Sequence, residues 1–152
     1  MIILQGDVLK TPFEIIAHQT NCMGVMGGGV AKQIREQYPF VYEEYKSAVT
    51  QYGSMYMLGR SQIIFCEGHT FFNIFGQYNY GRDRRYTDYD AFKSAFIDAI
   101  DKYRDEDEHQ ITIAIPYNIG CGLAGGDWNV VSKILEDLEK EKNVVFVAYE
   151  YK

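Results

Sequence analysis

Short apolar runs alternate along the chain with segments in which apolar residues recur every three or four positions, the pattern of strands alternating with amphipathic helices. Residues 1–5 and 14–19 are apolar enough to be strands, with Gly6-Asp7 and Thr11-Pro12 supplying turn residues between them. Val30, Ile34 and Tyr38 keep helical spacing and Pro39 ends that run. Residues 40–51 repeat the period with Val41, Tyr45 and Val49, and Gly53 supplies the stop. Residues 61–66 and 70–77 read as strands folded about Glu67-Gly68 into a hairpin. Residues 78–86 follow neither period and read as a loop. Thr87 is placed to cap a helix carrying Phe92, Phe96 and Ile100 to about Arg104, and the charged stretch 105–109 reads as a surface connection. Residues 111–116 are almost wholly apolar, as in a strand buried on both faces at the centre of a parallel sheet. Asp127-Trp128 opens a last helix through Val130, Ile134 and Leu138, and residues 143–149 read as a β-branched closing strand. Together these elements predict an α/β fold, a three-layer α/β/α sandwich around a mixed, mostly parallel central sheet.

With 152 residues, 47% of them hydrophobic and 15% aromatic, the chain has the content of one domain spanning 1–152 with a substantial core. No apolar run approaches the roughly 20 residues of a membrane helix. The first residues also lack the basic flank and cleavage site of a signal peptide, so a cytoplasmic protein without a membrane partner is expected. Cys22, Cys66 and Cys121 are odd in number and lack metal-ligand spacing, which predicts reduced thiols, no metal and no cofactor. The net charge of −6 repels polyanions and argues against general nucleic-acid binding. Arg82, Arg84 and Arg85 form a dense basic cluster in a tyrosine-rich stretch that could touch phosphate or nucleic acid. A solvated loop balancing Asp83, Asp88 and Asp90 is the commoner use of such a cluster.

Two glycine-rich turns add chemistry to this frame. Gly27-Gly28-Gly29 and the stretch from Gly120 to Gly126 each lie between a predicted strand and a predicted helix. Glycine there lets main-chain N–H groups approach an anion, and the positive end of the helix dipole adds attraction. Two such turns in one short chain suggest two rims of a groove holding a diphosphate. Gly120-x-Gly122-x-x-Gly125 matches the dinucleotide fingerprint, but only one helix and one strand follow it, which disfavours an NAD-dependent oxidoreductase. Neither turn ends in the Gly-Lys-Ser/Thr of a nucleoside-triphosphate loop.

In order along nearly the whole chain, three stretches resemble the signature regions of a macrodomain. They are Gly6-Asp7-Val8, then Ala17-His18-Gln19-Thr20-Asn21 running into Gly24-Val25-Met26-Gly27-Gly28-Gly29-Val30-Ala31, then Ile115-Pro116-Tyr117-Asn118-Ile119-Gly120-Cys121-Gly122-Leu123. Asn73-Ile74-Phe75-Gly76-Gln77 and Gly126-Asp127-Trp128 are similar to the small ADP-ribose 1″-phosphate phosphatases, with compact single-domain ADP-ribosyl hydrolases as close relatives. The resemblance implies that ADP-ribose is the ligand. It puts Asp7 on the adenine amino group with the Val8 backbone beside it, and Asn21 on the distal ribose. Gly27, Gly28, Gly29 and Val30 would wrap that ribose and a phosphate. Asn118, Ile119, Gly120, Cys121, Gly122 and Leu123 would supply donors to the diphosphate, and Tyr149 would pack against adenine. An Asp at a turn and a core tyrosine are also ordinary uses of those residues.

For catalysis the resemblance points to His18, which could protonate a leaving group, and to Asp127, which could activate water or contact a terminal phosphate. The alternatives are a histidine bonded to backbone at a strand end and an aspartate capping a helix. Cys121 sits in a turn that can lower a thiol pKa, but no cysteine-phosphatase loop surrounds it, and an inert thiol is the favoured reading. Gln77 and Ala124 stand where the resemblance implies the lysine and aspartate of the family's ester hydrolases, which argues against a lysine-mediated covalent route. The implied activity is hydrolysis of ADP-ribose 1″-phosphate to ADP-ribose and phosphate. Removal of ADP-ribose from modified macromolecules, or non-catalytic reading of ADP-ribose, are the alternatives.

Overall fold

The most apolar segment of the chain becomes a strand near the middle of the sheet, where both of its faces are covered. In the computed structural model, which describes residues 1–104 and 109–151, this strand is β5 (Ile111–Pro116), and its Ile113, Ala114 and Ile115 are fully buried. The preceding elements are β1 (Ile2–Gln5), a 3-10 turn (Val8–Lys10), β2 (Ile15–Thr20), α1 (Gly29–Gln37), α2 (Pro39–Tyr52) and α3 (Ser54–Met57). They are followed by β3 (Ser61–Cys66), β4 (His69–Phe75) and α4 (Tyr89–Arg104), and the chain closes after β5 with α5 (Trp128–Lys142) and β6 (Val144–Glu150).

The strands form one sheet in the order β1-β6-β5-β2-β4-β3. All neighbours are parallel except β3 and β4, which are antiparallel across the Glu67-Gly68 turn. Alternation along β2 sends Ile15 and Ala17 to one face and Ile16 to the other. On the first face Phe72, Ile113 and Phe146 pack under Phe92 and Phe96 of α4 and Leu135 of α5. On the second, Ile16, Phe71 and Phe75 pack under Ile34 of α1 and Val41 and Tyr45 of α2. The result is the expected three-layer α/β/α sandwich. Because the inner strands run parallel, β2 and β5 end on the same side, and both glycine loops leave from that edge.

Several local expectations are corrected. Thr87 does not cap α4: Asp88 does, its carboxylate accepting from the Ala91 N–H at 3.0 Å, while the Thr87 hydroxyl donates to the Gly120 carbonyl at 2.6 Å. Pro39 opens α2 at its first turn, where a missing N–H is harmless. A further short helix, α3, follows Gly53, and β4 ends at Phe75 rather than Gln77. In α5 the buried stripe is Val131, Leu135 and Leu138, with Val130 turned outward. The connection expected at 105–109 lies outside the described residues up to 108.

Phe96 sits between Phe92 and Phe146, with ring centroids 5.0 and 5.4 Å away, and is fully buried. Phe96→Ala is expected to lower unfolding free energy by about 3–5 kcal/mol in urea denaturation, the range for emptying a buried aromatic site.

Candidate functional site

Each glycine loop is built to leave main-chain donors unused. The first follows β2, and Gly28 stands at the N-cap of α1 without a side chain to cap it. The N–H groups that open α1 therefore have no partner within the helix. Asn21 holds this loop in shape. Its Nδ2 donates to the Val25 carbonyl at 2.8 Å, and its Oδ1 accepts from the Met23 N–H at 2.9 Å. The buried Tyr45 hydroxyl braces the same turn, donating toward the Asn21 carbonyl at 2.7 Å and accepting from the Val25 N–H at 3.1 Å.

The second loop follows β5. Asn118 and Gly120 adopt the left-handed conformation, with φ of +65° and +73°, so the chain reverses twice within a few residues. Turn bonds use the N–H groups of Ile119, Cys121, Gly125 and Gly126. Those of Gly120, Gly122, Leu123 and Ala124 bond to nothing among the described residues. Gly126 is required by contact: a Cβ there would lie 2.5 Å from the Gly120 carbonyl oxygen.

Between the loops runs a groove of three adjoining lobes. The first, about 280 Å³, is bordered by Asp7, Val8, Tyr117, Asn118 and Tyr149. It shares Val30 and Asn118 with a middle lobe of about 230 Å³ over His18, Gly120 and Gly122. That lobe shares Gly28 and Leu123 with a third of about 300 Å³, bordered by Asn21, Gly27, Tyr80 and Arg82. Three adjoining lobes of this size have room for a dinucleotide-sized ligand, more than a single sugar or phosphate fills.

The floor of the groove is the end of β2. Among the described residues three buried side-chain atoms have no hydrogen-bond partner, His18 Nδ1, Gln19 Oε1 and Thr20 Oγ1, and they belong to consecutive residues of that strand. All three residues line the groove. Buried polar atoms are normally satisfied, so a run of three orphans marks a place where ligand or water completes the bonding. His18 is 2% exposed, and burial pushes its pKa down to about 4 despite the opposing bond to Asn73. The ring is neutral at pH 7. Gln19 Nε2 donates to Gln77 Oε1 and to the Thr87 hydroxyl, both at 2.8 Å, and that hydroxyl in turn fixes the Gly120 carbonyl. Gln77, just past β4, thus ties Gln19 to the segment that follows, its own Nε2 donating to the Asn79 carbonyl at 2.8 Å.

Of the residues singled out in the sequence, Asp7, Val8, Asn21, Gly27, Gly28, Val30, Asn118, Gly120, Gly122, Leu123 and Tyr149 border the lobes, as do Ile119 and His18. One oxygen of Asp7 accepts from the Leu9 N–H at 2.9 Å, and the Tyr149 hydroxyl bonds Thr11 at 2.8 Å. Gly29 begins α1 with a left-handed φ of +56° and borders none of the lobes. Asp127 also borders none. Its carboxylate caps α5, accepting from the Asn129 N–H at 2.9 Å. The Cys121 thiol is held up at about 11 by burial and by Asp127 nearby, so it is protonated and a poor nucleophile. Among the described residues no cluster of His, Cys, Asp or Glu could hold a metal ion. Gln19, Thr20, Thr87 and Tyr45 were not singled out as site residues. A polar run closing an otherwise apolar strand was the signal available for the first two.

The comparisons agree with this geometry. The family model described as Macro domain matches residues 17–135. Over 95% of its length the chain is 31% identical to a DNA ADP-ribosyl glycohydrolase of Mycobacterium tuberculosis, of which it spans 40%. It is 26% identical to an ADP-ribose 1″-phosphate phosphatase of Saccharomyces cerevisiae, covering 97% of this chain and 96% of that one. The solved macrodomain of Mycobacterium tuberculosis DarG superposes with a TM-score of 0.74 at 25% identity, over 97% of both chains. By its groove, its two glycine loops and this match over most of its length, the chain belongs to the Macro domain family.

Proposed function

We propose that the protein binds ADP-ribose along the groove and hydrolyses ADP-ribose 1″-phosphate to ADP-ribose and inorganic phosphate. The observation that carries this reading is the run of orphaned polar atoms on His18, Gln19 and Thr20 between two loops of unused N–H donors. Donors in the loops suit the oxygens of a diphosphate. Acceptors on the floor suit hydroxyl groups and water. Adenine would sit in the first lobe beside Asp7 and Tyr149, the diphosphate over Gly120 and Gly122, and the distal ribose near Asn21 and Gly27.

Hydrolysis then needs a water held against the phosphorus. The water oxygen bonds to phosphorus, the bond from phosphorus to the 1″-oxygen breaks, and the proton released by water balances the one taken up by the departing hydroxyl. A neutral His18 serves this by accepting from the water rather than by protonating the leaving group, since its pKa near 4 leaves it without a spare proton. The negative phosphate raises the basicity of the ring when bound, which assists proton uptake. With Gln77 in place of lysine and Asp127 committed to its helix, the route is direct attack by water.

A second reading is removal of ADP-ribose from a modified macromolecule. It is favoured by the third lobe, which opens past the exposed Tyr80 and past Arg82, a side chain without a partner among the described residues. Phosphate release from ADP-ribose 1″-phosphate, set against loss of ADP-ribose from a modified oligonucleotide, decides between them. Absence of both activities with retained ADP-ribose binding leaves a reader.

Calorimetry is expected to show ADP-ribose binding in the wild type. Gly126→Ala, which displaces the Gly120 carbonyl, should weaken it by about tenfold or more, roughly 1.4 kcal/mol. His18→Gln should bind ADP-ribose like the wild type yet lose about two orders of magnitude in phosphate release, the usual scale for a lost acid–base group. Wild-type rates from His18→Gln would remove that side chain from the mechanism.

Stability should also respond to His18. In the unfolded chain its ring takes a proton near 6.5, whereas in the folded protein it resists protonation down to about 4. Unfolding therefore takes up a proton between these values, and stability is full above pH 6.5 and declines as pH falls toward 4. The total is roughly 3 kcal/mol, and urea denaturation at pH 7.5 and 4.5 should show most of it, about 2.5 kcal/mol, in the wild type and a smaller loss in His18→Gln.

A further inference from the structure

A row of polar side chains crosses one face of the sheet from its outer strand to the groove floor. Register places Gln62 of β3 opposite Asn73 of β4, and Asn73 opposite His18 of β2. Gln62 Nε2 donates to the Glu44 carbonyl at 2.9 Å, Asn73 Nδ2 donates to Gln62 Oε1 at 3.0 Å, and Asn73 Oδ1 meets His18 Nε2 at 2.6 Å. Amide orientation is often ambiguous, because oxygen and nitrogen have the same shape. Here the end of the row removes the ambiguity. A main-chain carbonyl only accepts, so Gln62 must give it an N–H and turn its oxygen to Asn73. Asn73 must then give its NH₂ to Gln62 and its oxygen to His18. The imidazole has one arrangement left, with its proton on Nε2 and a lone pair on Nδ1, the atom that no described residue satisfies.

We propose that Asn73 and Gln62 are positioning residues that fix the His18 tautomer, so that Nδ1 is a hydrogen-bond acceptor at the groove floor for the attacking water. The proposal rests on the ADP-ribose hydrolase reading above and adds how that site is set. Asn73 is fully buried, so a carboxylate in its place would attract a second proton onto the ring and turn Nδ1 into a donor. The amide holds the same geometry without that charge. An acceptor is what the chemistry requires, because attacking water must direct a proton away from the phosphorus and keep a lone pair toward it.

Gln62 permits the test, since it is half-buried on an edge strand and distant in the row from the groove. Gln62→Glu keeps an acceptor for Asn73 and should preserve the tautomer. Gln62→Lys reverses the row: an ammonium donates to Asn73 Oδ1, the Asn73 NH₂ turns to His18 Nε2, and the imidazole proton moves to Nδ1. Long-range ¹H–¹⁵N correlation on the full chain labelled at histidine, with the His18 signals identified by their loss in His18→Gln, reads the tautomer directly. Phosphate release and ADP-ribose titration are measured on the same samples. The wild type and Gln62→Glu are expected to show the Nε2–H form. Gln62→Lys should show Nδ1–H, unchanged ADP-ribose binding, and phosphate release reduced by about two orders of magnitude. An Nδ1–H signature in the wild type overturns the proposal, as does an unchanged tautomer in Gln62→Lys or full phosphate release from the inverted form. A wild type that binds ADP-ribose but releases no phosphate removes the hydrolase reading, while the tautomer comparison still judges the row itself.

Discussion

Parallel pairing of β2 between β5 and β4 is the constraint on which the site depends. It forces the strands to end together, so the loop after β2 and the loop after β5 face each other across one edge. The same pairing buries β2 on both faces, which makes every polar group at its end costly unless something satisfies it. Asn73 answers part of His18, and Gln77 and Thr87 answer part of Gln19. The atoms left over all belong to residues that line the groove, so the strand end and the groove floor share the same polar groups. An apolar strand end would suit the core better and bind nothing.

Rigidity in the loops comes from groups outside them. Tyr45, on α2, reaches the first loop with a hydroxyl that both donates and accepts, and Thr87, ahead of α4, reaches the second. The Tyr86 N–H donates to the Ala124 carbonyl at 2.7 Å, so the tyrosine- and arginine-rich loop is fastened to the second glycine loop as well. Tyr45 comes from one helical layer, and Tyr86 and Thr87 from the segment that leads into the other. Main-chain donors held this way need little reorganisation when an anion arrives, which lets a loop of glycine serve as a fixed binding surface.

The glycine loops and the strands bearing them were legible because their signals are local: glycine where φ is positive or a Cβ has no room, and an apolar run long enough for one strand. Partners distant in sequence were not. His18 and Asn73 are 55 positions apart and become neighbours only through the β2–β4 register, which apolar alternation does not specify. Thr87 and Asp88 are both cap-forming residue types, and in the fold the Thr87 hydroxyl is taken by the Gly120 carbonyl while Asp88 caps α4. In α5 the spacing of Val130, Ile134 and Leu138 is as helical as that of Val131, Leu135 and Leu138. Docking against the sheet chose the second stripe. Asp127 shows the other case: the motif suggests chemistry for it, and its carboxylate caps the start of α5.

Charge in this molecule works at two ranges. The net charge of −6 acts over distances comparable to the screening length, roughly 8–10 Å in physiological salt, and opposes the approach of any long polyanion. Within the groove the relevant charges are fewer and closer. Arg84 is turned toward Asp83 and Tyr86, and Arg85 stacks over Tyr89 with its guanidinium 4.4 Å from the ring centre. Arg82 is left to border the third lobe. The basic cluster is therefore not an undivided patch: two of its members are taken up by aromatic neighbours, and one adds a positive charge where the groove opens. A small anion that fits the lobes meets that charge and the loop donors together.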